Sequence, residues 1–203
     1  MYSDKIKLLP WEGSNYLEQN PKILILGLSI YDKKKSKHVV QEYIEGLIND
    51  DWNYPFFTKI QNIFSNPNHW DEITPERYAL NKKLFWDDVC FYEYIQERMD
   101  NPKQKVPAKY WENSKGAFKE ILQKLKPDIV IALGYEMYMN LPQEGSEGIL
   151  IKHGNNIMET WKYNISGNDT YVCQVQHPSS VGFKQDIWIK LFEVFLKKFS
   201  KLK

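Results

Sequence analysis

Pro21-Lys-Ile-Leu-Ile-Leu-Gly27 is the stretch from which the fold can be read. A short continuous apolar run closed by glycine is the pattern of a strand buried on both faces of a mostly parallel sheet, because a half-exposed strand would alternate apolar and polar residues. Asp128-Ile-Val-Ile-Ala-Leu-Gly134 repeats it far downstream, and Tyr171 to Gln176 forms a third run, closed by His177-Pro178 in place of glycine.

Helical patterns separate the three runs. Val39, Val40, Tyr43, Ile44, Leu47 and Ile48 share one face at helical spacing, and Phe56, Phe57, Ile60, Ile63 and Phe64 repeat the pattern. Thr74-Pro75-Glu76 reads as a helix start, with a capping threonine, a proline that loses no bond in the first turn and a glutamate at the positive helix end. Ser114 is expected to cap a helix carrying Phe118, Ile121, Leu122 and Leu125, which Pro127 stops. A final helix has Ile187, Trp188, Leu191, Phe192, Phe195, Leu196 and Phe199 on its core face. The aromatic segment from Phe85 to Gln96 has an ambiguous period. Ile157 to Ile165 and Tyr171 to Gln176 flank Ser166-Gly-Asn-Asp169, which reads as a hairpin or two paired strands. Glu97 to Pro107, polar and with two prolines, reads as an exposed loop. Helices alternating with buried strands predict a three-layer α/β sandwich with a central, mostly parallel sheet, a single domain spanning residues 1–203.

Composition bounds what such a domain can do. The 203 residues include 10 Phe, 7 Trp and 13 Tyr, enough large apolar side chains to exclude a disordered chain. No apolar run approaches the ~20 residues of a membrane helix, and the first residues lack the apolar stretch of a signal peptide, so a cytoplasmic protein without a membrane partner is expected. Cys90 and Cys173 stand alone and cannot supply an iron-sulfur cluster or a four-cysteine zinc site. His38, His69 and His153 show no metal-ligand spacing; no metal and no cofactor is expected.

A net charge of +1 advertises no polyanionic partner, yet it hides opposite poles. Glu42 to Asp100 holds 12 acidic against 5 basic residues, whereas Asn101 to Tyr135 holds 7 lysines against 3 acids and Val181 to Lys203 holds 6 against 2. The basic regions, with the Lys33-Lys-Lys-Ser-Lys37 run, flank the His177-Pro178 turn, as a phosphate-tracking groove requires; lysines that simply solvate helix faces would look the same.

Ligands of open α/β sheets bind outside the carboxyl ends of the strands. Three sets of residues follow the predicted strands: Gly27-Leu-Ser-Ile-Tyr-Asp32, Gly134-Tyr-Glu136 and Gln176-His-Pro-Ser-Ser-Val-Gly-Phe183. In the third, Pro178 fixes the turn and Ser179 and Ser180 can bond the backbone, so that His177 is held where it can donate to a developing oxyanion.

Together these segments resemble the uracil-DNA glycosylase superfamily, in particular its compact bacterial members without an iron-sulfur cluster. The Ile23 to Tyr31 strand and loop resemble the first motif, Phe85 to Gln96 the aromatic segment with the base-reading amide, Lys126 to Gly134 the third strand, and His177-Pro-Ser-Ser the His-Pro-Ser motif. The resemblance implies a protein that binds DNA, single- or double-stranded, and flips a base into its pocket; the sequence leaves the oligomeric state open, with a monomer favoured. It also implies that His177 bonds the base carbonyl as the glycosidic bond breaks, with a carboxylate orienting water. Tyr31 becomes the stacking platform, or else a core edge, supported by Phe91 or Tyr92; Ser29 joins them at the base. Lys33, Lys34, Lys35, Lys37, Ser179 and Ser180 become contacts to the nucleic-acid backbone.

Two departures from the family's pattern bear on activity. Leu28 stands where the first motif commonly has its acid, leaving Asp32 as the nearest catalytic substitute. Glu93 aligns with the base-reading asparagine; ionised, it only accepts hydrogen bonds and would favour a base bearing an amine over uracil, whereas on a helix it would be a surface residue. A relative that kept the fold and lost hydrolysis, serving as a nucleic-acid or nucleotide-binding module, is the alternative function. Asp87 and Asp88, adjacent in sequence, read as turn or capping residues because neighbours on a strand face opposite ways.

Overall fold

The computed structural model describes residues 1–31, 36–49, 51, 54–64 and 82–202. In chain order the strands are β1 (Trp11–Glu12), β2 (Ile23–Gly27), β3 (Cys90–Glu93), β4 (Ile129–Leu133), β5 (Ser146–Glu147), β6 (Ile151–His153), β7 (Asn156–Met158), β8 (Thr160–Ile165) and β9 (Asn168–Val175). The α-helices are α1 (Val39–Ile48), α2 (Pro55–Phe64), α3 (Lys82–Asp88), α4 (Ala108–Leu125), α5 (Tyr135–Met139) and α6 (Gln185–Phe199).

The three glycine- or histidine-closed runs are β2, β4 and β9, and all lie in one mixed seven-stranded sheet of order β1-β3-β2-β4-β9-β8-β5. Its centre, β3-β2-β4-β9, is parallel throughout. Leu24, Ile25 and Leu26 are sealed on both faces, each contributing about 2 kcal/mol of hydrophobic burial, which explains why this run has no polar alternation. The outer strands β1, β8 and β5 are antiparallel. Ser166 and Gly167, both at positive φ, form the two-residue turn that joins β8 to β9.

Helices cover both faces. On one, α4 sets Phe118 against Tyr94 and Tyr163. On the other, Phe57 of α2 and Trp86 of α3 pack on Phe91, while Phe195 and Phe199 of α6 pack on Tyr171 of β9. Phe64 meets Phe192 edge-on and so fastens α2 to α6.

Several expectations shift. Ser114 is not a cap: α4 begins at Ala108, and Ser114 is buried in its middle, donating to the Tyr110 carbonyl at 2.8 Å and accepting from the Gln96 N–H at 3.1 Å. The ambiguous Phe85–Gln96 segment is two elements, the end of α3 and then β3. Ile157 belongs to a separate β6–β7 hairpin rather than to β8. Thr74-Pro75-Glu76 and His69 lie outside the described residues. Among the described residues no helix is long and apolar enough to cross a membrane.

Candidate functional site

The carboxyl ends of β3, β2, β4 and β9 lie side by side in the sheet, and the strip along them, where open α/β sheets bind ligands, is the trough. Gly27 ends β2 and Gly134 follows β4, so the two central positions carry no side chain, while Glu93 ends β3 on one side and His177 follows β9 on the other. Both glycines are required. A Cβ on Gly27 would meet the Glu93 Oε2 at 2.5 Å, and Gly134 has φ of 125°, a conformation that side chains rarely adopt. The Glu93 carboxyl therefore lies over the end of β2.

The exit loops of β2 and β3 are laced together by their backbones: Tyr94 donates to Gly27, Ile95 to Leu28 and Met99 to Ile30, at 2.9 to 3.0 Å. This lacing fixes the approach of Tyr31, which is 38% exposed at the trough rim. Burial, together with the carboxylates Glu93 and Glu136, raises the pKa of the Tyr31 hydroxyl.

Glu93 is 7% exposed, and its Oε2 is buried without a hydrogen-bond partner. Desolvation alone pushes its pKa up from the ordinary 4.5 to about 8. Among the described residues no cation pairs with this enclosed carboxyl, so burial favours its protonated form over the ionised, accept-only one.

His177 accepts the Ser179 N–H at Nδ1, at 3.2 Å, which leaves its hydrogen on Nε2 as a free donor. The Ser180 N–H closes the turn on the His177 carbonyl at 2.8 Å. Phe56 of α2 stacks on the imidazole with ring centroids 5.2 Å apart. Lys59, one turn on, donates to the Pro178 carbonyl at 2.7 Å. Burial first, and the Lys59 charge second, lower the pKa of His177, so the ring is neutral at physiological pH.

The structure brings Glu93, Tyr31 and His177 to one end of the sheet, with Phe91 beneath Glu93 on the same strand face. Tyr92 does not join them. Strand alternation turns it to the α4 face, where its ring is fully buried and its hydroxyl has no partner. Ser29 is buried and donates to the Glu97 carbonyl at 3.2 Å, bracing the loop rather than opening onto the trough. Ser179 and Ser180 are exposed on the turn, and Lys37 is exposed beyond the β2 loop. Asp32, Lys33, Lys34 and Lys35 lie outside the described residues. Leu28 is half-buried against the core. Asp87 pairs with Lys83, and Asp88 accepts from Gln19 at 2.9 Å, so both are structural. Among the described residues no three metal-binding side chains cluster.

Sequence reasoning missed Phe56 and Lys59, which hold the His177 turn from α2; nothing in their spacing distinguishes them from an ordinary helix face. A separate cavity of about 600 Å³ opens beside α4, lined in part by Trp111, Tyr138, Leu141 and Trp161, and includes none of the trough residues. Comparison with known proteins finds no family model that matches the chain and no match among the curated proteins.

Proposed function

We propose that the protein is a base-binding α/β protein of the uracil-DNA-glycosylase kind, which binds DNA, takes a base out of the stack and hydrolyses its N-glycosidic bond. The observation that carries this reading is the trough itself: two side-chain-free strand ends between a neutral carboxylic acid and a neutral imidazole whose Nε2–H is free. The Glu93 carboxyl and Phe91 fill the space over Gly27, so in this reading a planar ring lies toward Gly134, between Glu93 and His177.

In this reading His177 donates from Nε2 to a carbonyl of the base and stabilises the charge that gathers there as the C–N bond breaks. The Ser179 N–H on Nδ1 fixes the tautomer, so the Nε2–H is held ready as a donor before the charge develops. Tyr31 at the rim supplies the stacking face. The water that replaces the base is oriented by Asp32. His177→Ala should lower base release by about 10²- to 10³-fold, the usual cost of one oxyanion donor. Abasic-site formation on oligonucleotides carrying uracil, hypoxanthine or modified cytosines measures this for wild type, His177→Ala and Asp32→Asn. Release that survives His177→Ala unchanged removes the catalytic assignment.

One observation favours a second reading. Leu28, at the position where the family's first motif commonly has its acid, packs on the core and cannot handle water. A module that holds a base and leaves its bond intact would bind the same oligonucleotides and release nothing.

A further inference from the structure

We infer that the cavity beside α4 is a second binding site, for a small organic cation: an ammonium head carried on an apolar body. The cavity shares no residue with the trough, so this site stands or falls apart from the activity proposed there.

At about 600 Å³ the cavity lies within the roughly 300–1,000 Å³ of small-molecule sites. Its walls are largely aromatic: Trp111 of α4 is buried, while Tyr138 of α5 and Trp161 of β8 are half-buried. Met139 and Leu150 are exposed and carry the apolar surface onto the rim. The Trp161 Nε1 is buried against Gly145, where a Cβ would collide with it, and it has no acceptor. The part of that ring left open is therefore carbon. Ring faces of this kind attract a cation and give an anion nothing.

The polar groups point to the same sign of charge. Glu147 stands directly opposite Trp161 in the antiparallel β5–β8 pair. Glu159 comes two residues before Trp161, where the chain still accepts the Gln174 N–H of β9 at 2.9 Å, so all three side chains leave one face of the sheet. Both carboxylates act on Tyr138, whose hydroxyl is held well above its usual pKa by burial first and then by Glu159, Cys173 and Glu147. Among the described residues neither Glu147 nor Glu159 forms a salt bridge. The lysines close by are committed: Lys115 to Glu112 at 2.7 Å, Lys119 to Glu144 at 2.6 Å, and Lys198 to the Leu150 carbonyl at 3.3 Å. Asn140 and Gln143 each give an amide N–H to a backbone carbonyl at 2.8 Å, which leaves their side-chain oxygens as acceptors. Two like charges at neighbouring positions of a sheet repel, and a cation set between them removes that cost. An ammonium supplies the donors that this cavity lacks, and its hydrocarbon body covers the rings.

The test uses the intact protein and three probes that share one body and differ in charge: phenethylamine, phenethyl alcohol and phenylpropionate. Binding at neutral pH is measured by calorimetry and located by the indole N–H resonance that is lost in Trp161→Phe. The amine should bind at least ~10-fold more tightly than the alcohol and the acid, move the Trp161 resonance and leave the His177 ring resonances in place. Glu147→Gln combined with Glu159→Gln changes two exposed side chains, and an unchanged urea midpoint shows that the fold is intact. That variant should lose ~10-fold or more of its affinity for the amine and none for the alcohol. Equal binding of amine and alcohol, tighter binding of the acid, no binding of the amine, amine binding unaltered in the double variant, or shifts at His177 in place of Trp161 overturns the inference. N-acetyl-lysine methylamide presents the same ammonium as a protein would; tighter binding of it than of phenethylamine would assign the cavity to a partner's side chain and overturn the small-molecule site.

Discussion

Glu93 ties the chemistry of the trough to the stability of the fold. Its proton is held to about pH 8 in the folded chain and to about pH 4.5 when the side chain is in water. Below pH 4.5 both states carry the proton and pH has no leverage. Between the two values the unfolded chain ionises and the folded chain does not, so stability falls as pH rises, by up to about 1.4 kcal/mol per pH unit, and levels off above pH 8. His177 acts with the opposite sign: its lowered pKa means that the unfolded chain gains a proton first, and stability is lost as pH falls below the ordinary histidine range. Glu93→Gln should lack the first slope. Urea midpoints for the two proteins should diverge steadily from pH 5 to pH 8 in favour of the variant; parallel profiles would mean that Glu93 ionises freely in the native state.

Helix α2 is the element on which the site depends most and which the sequence explained least. Its apolar face is shared among three tasks: Ile60 and Ile63 fill the core, Phe57 packs on Phe91, and Phe56 covers His177. Phe56→Ala should cost about 2 kcal/mol of stability as a half-buried aromatic truncation and should also return the His177 pKa toward its ordinary value, because water replaces the stacked ring. An imidazole titration followed by NMR distinguishes that from a purely structural role, which would leave the pKa where it was. The strands β2, β4 and β9 were legible because burial on both faces writes an unbroken apolar run, and His177 was legible because a histidine–proline pair closes one of them. The state of Glu93 was not legible. Charge on a carboxylate depends on what surrounds it, and the enclosing atoms come from Gly27 on a neighbouring strand, distant in the chain. Ser114 misled for a related reason: a serine ahead of an apolar run resembles a cap, and only the contact with Gln96 shows that it is a buried tie between α4 and the β3 exit. The resemblance offers Phe91 or Tyr92 as the support of Tyr31 without choosing between them, and one residue of register on a strand decides which of the two faces the site.

Across the whole molecule, a net charge near zero conceals basic stretches on both sides of the trough in sequence, and these set the expected response to salt. If Lys33, Lys34, Lys35 and Lys37 each contact a phosphate, reversing all four should flatten the dependence of log affinity on log salt by about 3 for a single-stranded oligonucleotide. An unchanged slope in a fluorescence-anisotropy titration would remove them from the interface while leaving His177 untouched. The path of the chain through the sheet has a different consequence. Residues 100–105, between β3 and α4, are all exposed, and everything before them supplies β1, β2, β3 and the α1–α3 helices, while everything after supplies β4 to β9 with α4 to α6. Gly27 and Glu93 lie on the first side of that loop, Gly134 and His177 on the second, and the two sides meet at the parallel β2–β4 pairing, at the α2–α6 contact and where Phe118 packs on Tyr94. A chain cut there leaves Glu93 on one fragment and His177 on the other, so if the proposed base site is real, binding should be absent from either half and return only when the two are recombined, a complementation test written into the path of the chain.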